Sequence, residues 1–98
     1  MLQLDQIRPE DFEPLQGSVL TVEIAGAALG CELTQVRRLT PHSARVCPPF
    51  ALVLRGPRDR PFPQGTYPLV HPEHGRLDLF IVPIGPCGDG LGYEITFN

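Results

Sequence analysis

The chain has 98 residues, 42% of them hydrophobic, and a formal net charge of −3. That is one domain's worth, long enough to bury about 60–65% of the surface its unfolded form exposes, and apolar residues spread along its whole length exclude disorder. All eight basic residues are Arg, which excludes a lysine Schiff base or lysine general base, and an acidic balance without a basic stripe speaks against nucleic acid.

The first 16 residues read as an arm. In "RPEDFEPL", Pro9 followed by Glu10 and Asp11 suits the first turn of a short helix, and Pro14 is expected to end it. Phe12 and Leu15 are placed to pin the arm to a core. After Gly17 the period becomes two. "SVLTVEI" sets Leu20, Val22 and Ile24 on one face, and residues 25–30, "AGAALG", read as a small-residue turn. Next, Leu29, Cys31 and Leu33 share a face. "TPHSARVCPP" is a turn region with a short extended piece at residues 44–47. "FALVLR" alternates Phe50, Leu52 and Leu54 against Ala51, Val53 and Arg55, and a ten-residue loop, "GPRDRPFPQG", follows. Tyr67 and Leu69 face one way, as do Leu77, Leu79 and Ile81, with Arg76 and Asp78 opposite. Phe80 and Val82 fall on the outer face of that last strand, where the arm or a partner is expected to cover them. "GPCGDG" is a turn cluster with Asp89-Gly90 as its hairpin dipeptide. The closing "YEITF" turns Tyr93, Ile95 and Phe97 inward.

Short strands separated by Gly and Pro turns, with no long helical period, predict an all-β fold. The expected form is a small antiparallel barrel or sandwich of six to seven strands with a short N-terminal helix, forming one domain over residues 1–98. One polar face per strand excludes a buried parallel sheet. Tyr67, Leu79, Ile95 and Phe97 are expected in a common core.

"PFALVLRGP", "PQGTYPLVHPEHGRLDLFIVPIGP" and the closing "GYEITFN", with "FEPLQG" upstream, resemble a bacterial family of short stand-alone domains of unknown function. Some of its members are encoded near phage-tail-collar-like proteins. The resemblance is strong over the last half of the chain and weak over the first. It implies a self-contained domain and offers no catalytic residues to carry over.

The stretch most like chemistry is "HPEHG", with His71 and His74 three apart. Turn geometry alone explains it. Pro72 presets φ for a type I turn, and Gly75 supplies the left-handed position closing a four-residue hairpin loop. H-x-x-H is too few ligands for zinc. The glycines of "GPCGDGLG" precede a strand, whereas a phosphate-binding loop opens a helix. Neither Ser18 nor Ser43 lies in a nucleophile motif. Cys31 shares the inward parity of Leu29 and Leu33 and reads as a buried, inert thiol, while Cys87 in a turn is the more exposed one.

The loop at residues 56–65 is long for a strand connection, and such loops often carry function. Arg58, Arg60 and Phe62 within it are the residue types favoured as binding anchors, so they form the candidate partner-binding set. The competing reading is a solvated loop with Phe62 folded back onto the core. No catalytic residue, metal ligand or cofactor is expected. The function expected first is a non-catalytic protein-interaction or assembly module, contacting another protein or its own copies, with no nucleic acid or membrane partner. A small-ligand-binding barrel with a pocket at a mouth lined by the loop comes second, and a Cys/His-dependent hydrolase third. Three cysteines without C-x-x-C spacing, and an N-terminus lacking a basic segment followed by an apolar one, suggest a reducing, cytoplasmic setting.

Overall fold

The computed structural model describes residues 6–39 and 49–97. Six strands, β1 (Val19–Ile24), β2 (Ala27–Arg38), β3 (Phe50–Gly56), β4 (Gly65–His71), β5 (Gly75–Cys87) and β6 (Gly90–Phe97), pair antiparallel throughout. They close into a barrel in the order β1-β2-β3-β6-β5-β4. The fold is therefore a barrel and not a sandwich. The expected extended piece at residues 44–47 and Cys47 lie outside the described residues.

Alternation sends Leu20 and Val22, then Leu29, Cys31 and Leu33, then Phe50, Leu52 and Leu54 inward. Leu77, Leu79 and Ile81, and finally Tyr93, Ile95 and Phe97, complete one core, with Tyr67 partly buried against it. Strand β3 is buried on both faces, including Ala51 and Val53. Arg37 on β2 stands opposite Ala51, and Glu94 on β6 stands opposite Val53. Their 2.7 Å ion pair crosses β3 and covers these two small outward side chains.

Several turns differ from the expected ones. Only Ala25 and Gly26 turn the first hairpin, both at positive φ (50° and 82°), while Ala27–Arg38 is already strand. Small residues at positions 27–30 hid that strand start, although two positive φ values match a tight hairpin's twist. The β4–β5 turn holds three residues between paired His71 and Gly75, not four, with Gly75 left-handed at φ 73°. In the β5–β6 hairpin the turn pair is Gly88-Asp89, with φ 60° at Gly88. Gly90 instead sits where a Cβ would strike the Gly56 carbonyl oxygen. Register shifts between Leu33 and Gln35 and between Pro83 and Gly85 mark bulges at Thr34 and Ile84. The Thr34 hydroxyl donates to the Val53 carbonyl at 3.1 Å.

The short N-terminal helix is of 3-10 type, with turns at Pro9–Asp11 and Glu13–Leu15, and Pro14 does not end it. Pro14 falls in the first residues of the second turn, where no N–H is needed. Ile7 and Phe12 are fully buried and Leu15 packs on the core, so the arm closes one end of the barrel. There Phe12 meets Phe97 and Phe50 at 6.1 and 6.3 Å. Arg38 holds the arm's outer side through Glu13, at 3.2 Å from both guanidinium contacts.

Candidate functional site

Most large apolar side chains of this barrel point inward. Among the described residues, the large ones left exposed are Val19 (69%), Phe80 (54%) and Ile84 (51%). Val19 stands apart on β1. Phe80, half-buried Val82 and Ile84 line up on the outer face of β5. The arm does not cover this face, contrary to one expectation, because Phe12 anchors it at the barrel end. The bulge beside Pro83 leaves Ile84 outside the ladder, and it lies over Gly92, whose missing Cβ would sit 3.1 Å from Ile84 Cγ1. Thr66 lies opposite Phe80 on β4, and Glu94 lies opposite Val82 on β6. Asp78 precedes Phe80 on the same outward row, and it forms no ion pair among the described residues, whereas nearby Arg37 and Arg76 are engaged with Glu94 and Glu23. The result is an apolar stripe with a charged rim, in which Asp78 is the carboxylate without an ion pair among the described residues.

In the loop between β3 and β4, Phe62 takes the competing position, folded back onto the core. Arg58 and Arg60 are exposed, but Phe62 is 5% exposed. Its ring stacks on Tyr93 at 4.1 Å and meets Tyr67 edge-on at 5.0 Å. The Phe62 N–H donates to the Tyr93 hydroxyl at 3.3 Å, and the Tyr67 hydroxyl donates to the Pro63 carbonyl at 2.6 Å. Burial raises the Tyr93 hydroxyl above its ordinary pKa. The loop thus plugs the second barrel end, and the three residues expected to act together are split between surface and core. The pocket imagined at that mouth is filled by Phe62.

At the opposite end, His71 is 1% exposed, the one buried polar residue among those described. Its Nδ1 accepts the Glu73 and His74 N–H groups at 3.0 and 3.2 Å, and its Nε2 lies 2.6 Å from the Asp11 carbonyl. The Phe12 ring stands edge-on to it at 5.1 Å. His74 Nε2 reaches Asp11 Oδ1 at 3.2 Å, and Asp11 Oδ2 accepts the Arg8 N–H at 2.8 Å. Burial pushes the Asp11 carboxyl up, but the Arg8 amide and the His74 ring outweigh it and hold the group below its ordinary value. "HPEHG" is thus a hairpin corner, as read from the sequence, that also docks the arm. The docking had no signal in the spacing, since Asp11 is 60 residues away from His71.

A cleft of about 580 Å³ lies where β1 and β4 part, lined by Glu23, Ala25, Gly26, Thr66, Tyr67 and Arg76 among others. The β1–β4 ladder has only two pairs, Thr21 with Val70 and Val22 with Leu69. The next position on β4 is Pro68, which has no N–H to donate, so the seam opens there. Glu23 and Arg76 already bond each other across the cleft.

Burial raises the Cys31 thiol to about 11, so it stays protonated and inert at neutral pH. Cys31 and Cys87 are both free thiols. Among the described residues, no three His, Cys, Asp or Glu side chains gather as a cation site, and no helix is long and apolar enough to cross a membrane.

The chain belongs to a family described as a domain of unknown function, DUF6916, which matches residues 7–97. No curated protein and no solved structure matches it.

Proposed function

We propose that this domain is a non-catalytic protein-interaction module of the cytoplasm, and that its contact face is the outer side of β5 around Phe80 and Ile84. The observation that carries this reading is two large apolar side chains, each more than half exposed, on the outer face of a strand whose Leu77, Leu79 and Ile81 are buried on the inner one. Free thiols at Cys31 and Cys87 support the compartment. Exposed apolar patches with polar rims mark contact sites, whereas single exposed residues such as Val19 do not.

The rim says which partner fits. Asp78 flanks the stripe on one side and the Arg37–Glu94 ion pair on the other, while Arg76 is engaged with Glu23. A second copy would bring together two chains of net charge −3, each with an unpaired Asp78 at the stripe among the described residues. The complementary occupant is a segment of another protein that presents an apolar anchor between Lys or Arg residues. One feature favours small-ligand binding instead, the β1–β4 cleft, but its charged groups already satisfy each other.

Selection of random displayed peptides on the immobilised barrel tests the proposal. Enriched peptides should pair an apolar residue with basic neighbours, weaken with salt, and lose binding to a folded Phe80→Ser/Ile84→Ser variant. Equal binding to that variant, or no enrichment, overturns the proposal. Loss of binding only on replacing Arg58 and Arg60 would move the site to the loop.

A further inference from the structure

The His71 ring joins two parts of the chain through main-chain groups alone. Nδ1 accepts from the Glu73 and His74 amides, so it carries no proton. The ring's one proton is therefore on Nε2, which donates to the Asp11 carbonyl of the arm. Only the neutral imidazole in this tautomer satisfies all three contacts. We propose that His71 is a proton-operated latch, and that protonation at Nδ1 releases the Pro9–Leu15 arm from the barrel end.

The added proton comes from solvent and turns an acceptor into a donor facing two other donors. The β4–β5 turn must then shift, and Nε2 moves with it off the Asp11 carbonyl. Once the ring swings, Phe12 loses its edge-on contact with the imidazole and keeps the tilted contacts with Phe50 and Phe97 at 6.3 and 6.1 Å. The other ties of the turns are the His74–Asp11 contact at 3.2 Å, the packing of Phe12 and Leu15 on the core, and the Arg38 pairs with Glu13 and Glu10, which are exposed and screened. Two isolated 3-10 turns do not persist without packing.

The ionisable groups facing His71 are few. The arm presents the Asp11 carboxylate, and the turn presents the His74 ring at 4.6 Å. Glu73 contacts His71 through its amide, and β5 sets Gly75 opposite it. The Asp11 charge attracts a cationic His71, and a protonated His74 grips Asp11 more firmly, so both oppose release. The Asp11 side chain is about one-quarter exposed (26%) and already shared between Arg8 and His74, so this attraction is weaker than the loss of two part-buried hydrogen bonds from main-chain amides. Release leaves Phe50 stacked on Phe97 at 4.4 Å and opens the barrel end above them.

An acid titration of the intact chain followed by nuclear magnetic resonance tests the latch. The ring nitrogens should report Nε2–H at neutral pH. On acidification, His71 should gain its second proton in the same step in which amide exchange at Phe12 and Leu15 speeds up by about tenfold or more, while Leu52 and Ile95 stay protected. A His74→Gln chain, which lacks the opposing histidine, should keep that step. The proposal is overturned if Nδ1 carries the proton at neutral pH, if His71 gains its second proton with the arm amides unchanged, or if arm and barrel lose protection together.

Discussion

Replacing Phe97 with Ala probes the packing on which the barrel rests. The ring is 6% exposed, lies parallel to Phe50 with centroids 4.4 Å apart and planes 9° apart, and meets the Phe12 ring at 6.1 Å. Truncating a buried Phe generally costs about 3–5 kcal/mol, from lost transfer energy and the cavity left behind. The upper half of that range fits here, because the stack adds about 0.5–1.5 kcal/mol beyond burial and the flanking rings belong to separate elements. For a domain of this size, 1 kcal/mol moves Tm by roughly 4–8 °C, so a loss of about 4 kcal/mol or more should lower Tm by at least about 16 °C. Denaturant unfolding of the variant beside Phe80→Ala, a surface change worth within about 0.5 kcal/mol, measures the difference. A loss below about 1 kcal/mol at Phe97 would put that ring at the surface and refute the strand parity.

Native thiol labelling should modify Cys87 readily and leave Cys31 unreacted until the barrel unfolds, because burial keeps Cys31 a thiol; full denaturation without reductant should then yield three free thiols. Gly90→Ala should destabilise strongly by thermal melting, since its Cβ would meet the Gly56 carbonyl oxygen. Gly75→Ala, with open space but φ 73°, should cost only about 1–2 kcal/mol. Asp11 has a lowered folded-state value, so its stabilisation is present above the unfolded carboxyl range near pH 3.9 and is lost as pH falls through the folded value. Asp11→Asn should therefore lower stability at neutral pH and flatten the acid limb of a stability–pH curve. An unchanged limb would show that another carboxylate sets it.

Legibility followed the period of two. Phe50, Leu52 and Leu54, Leu77, Leu79 and Ile81, and Tyr93, Ile95 and Phe97 alternate cleanly, and those positions form the core. Bulges broke the pattern without a local signal. Thr34 lets Leu33 and Val36 both pack inward three residues apart, which alternation alone forbids. Ala27 and Ala28 looked like turn because nothing in a small side chain marks a strand. Ala51 and Val53 looked outward-facing, and their burial goes with the Arg37–Glu94 pair that joins β2 to β6 across β3. The candidate site was half visible. Phe80 and Val82 stood out as apolar residues at outward parity, but Ile84 needed the bulge. Phe62 drew attention as an anchor when its ring was already stacked on Tyr93, a contact 31 residues away. His71 was read as a turn residue, and its second role depends on a distant arm.

The β5 face is tested most directly by chemical-shift mapping of the isotope-labelled barrel with a peptide enriched in the display selection. The account predicts that perturbed amides cluster at Phe80, Val82 and Ile84, spreading to Thr66 and Glu94 beside them. Shifts confined to residues 57–64, or to the β1–β4 cleft around Glu23 and Tyr67, would contradict it.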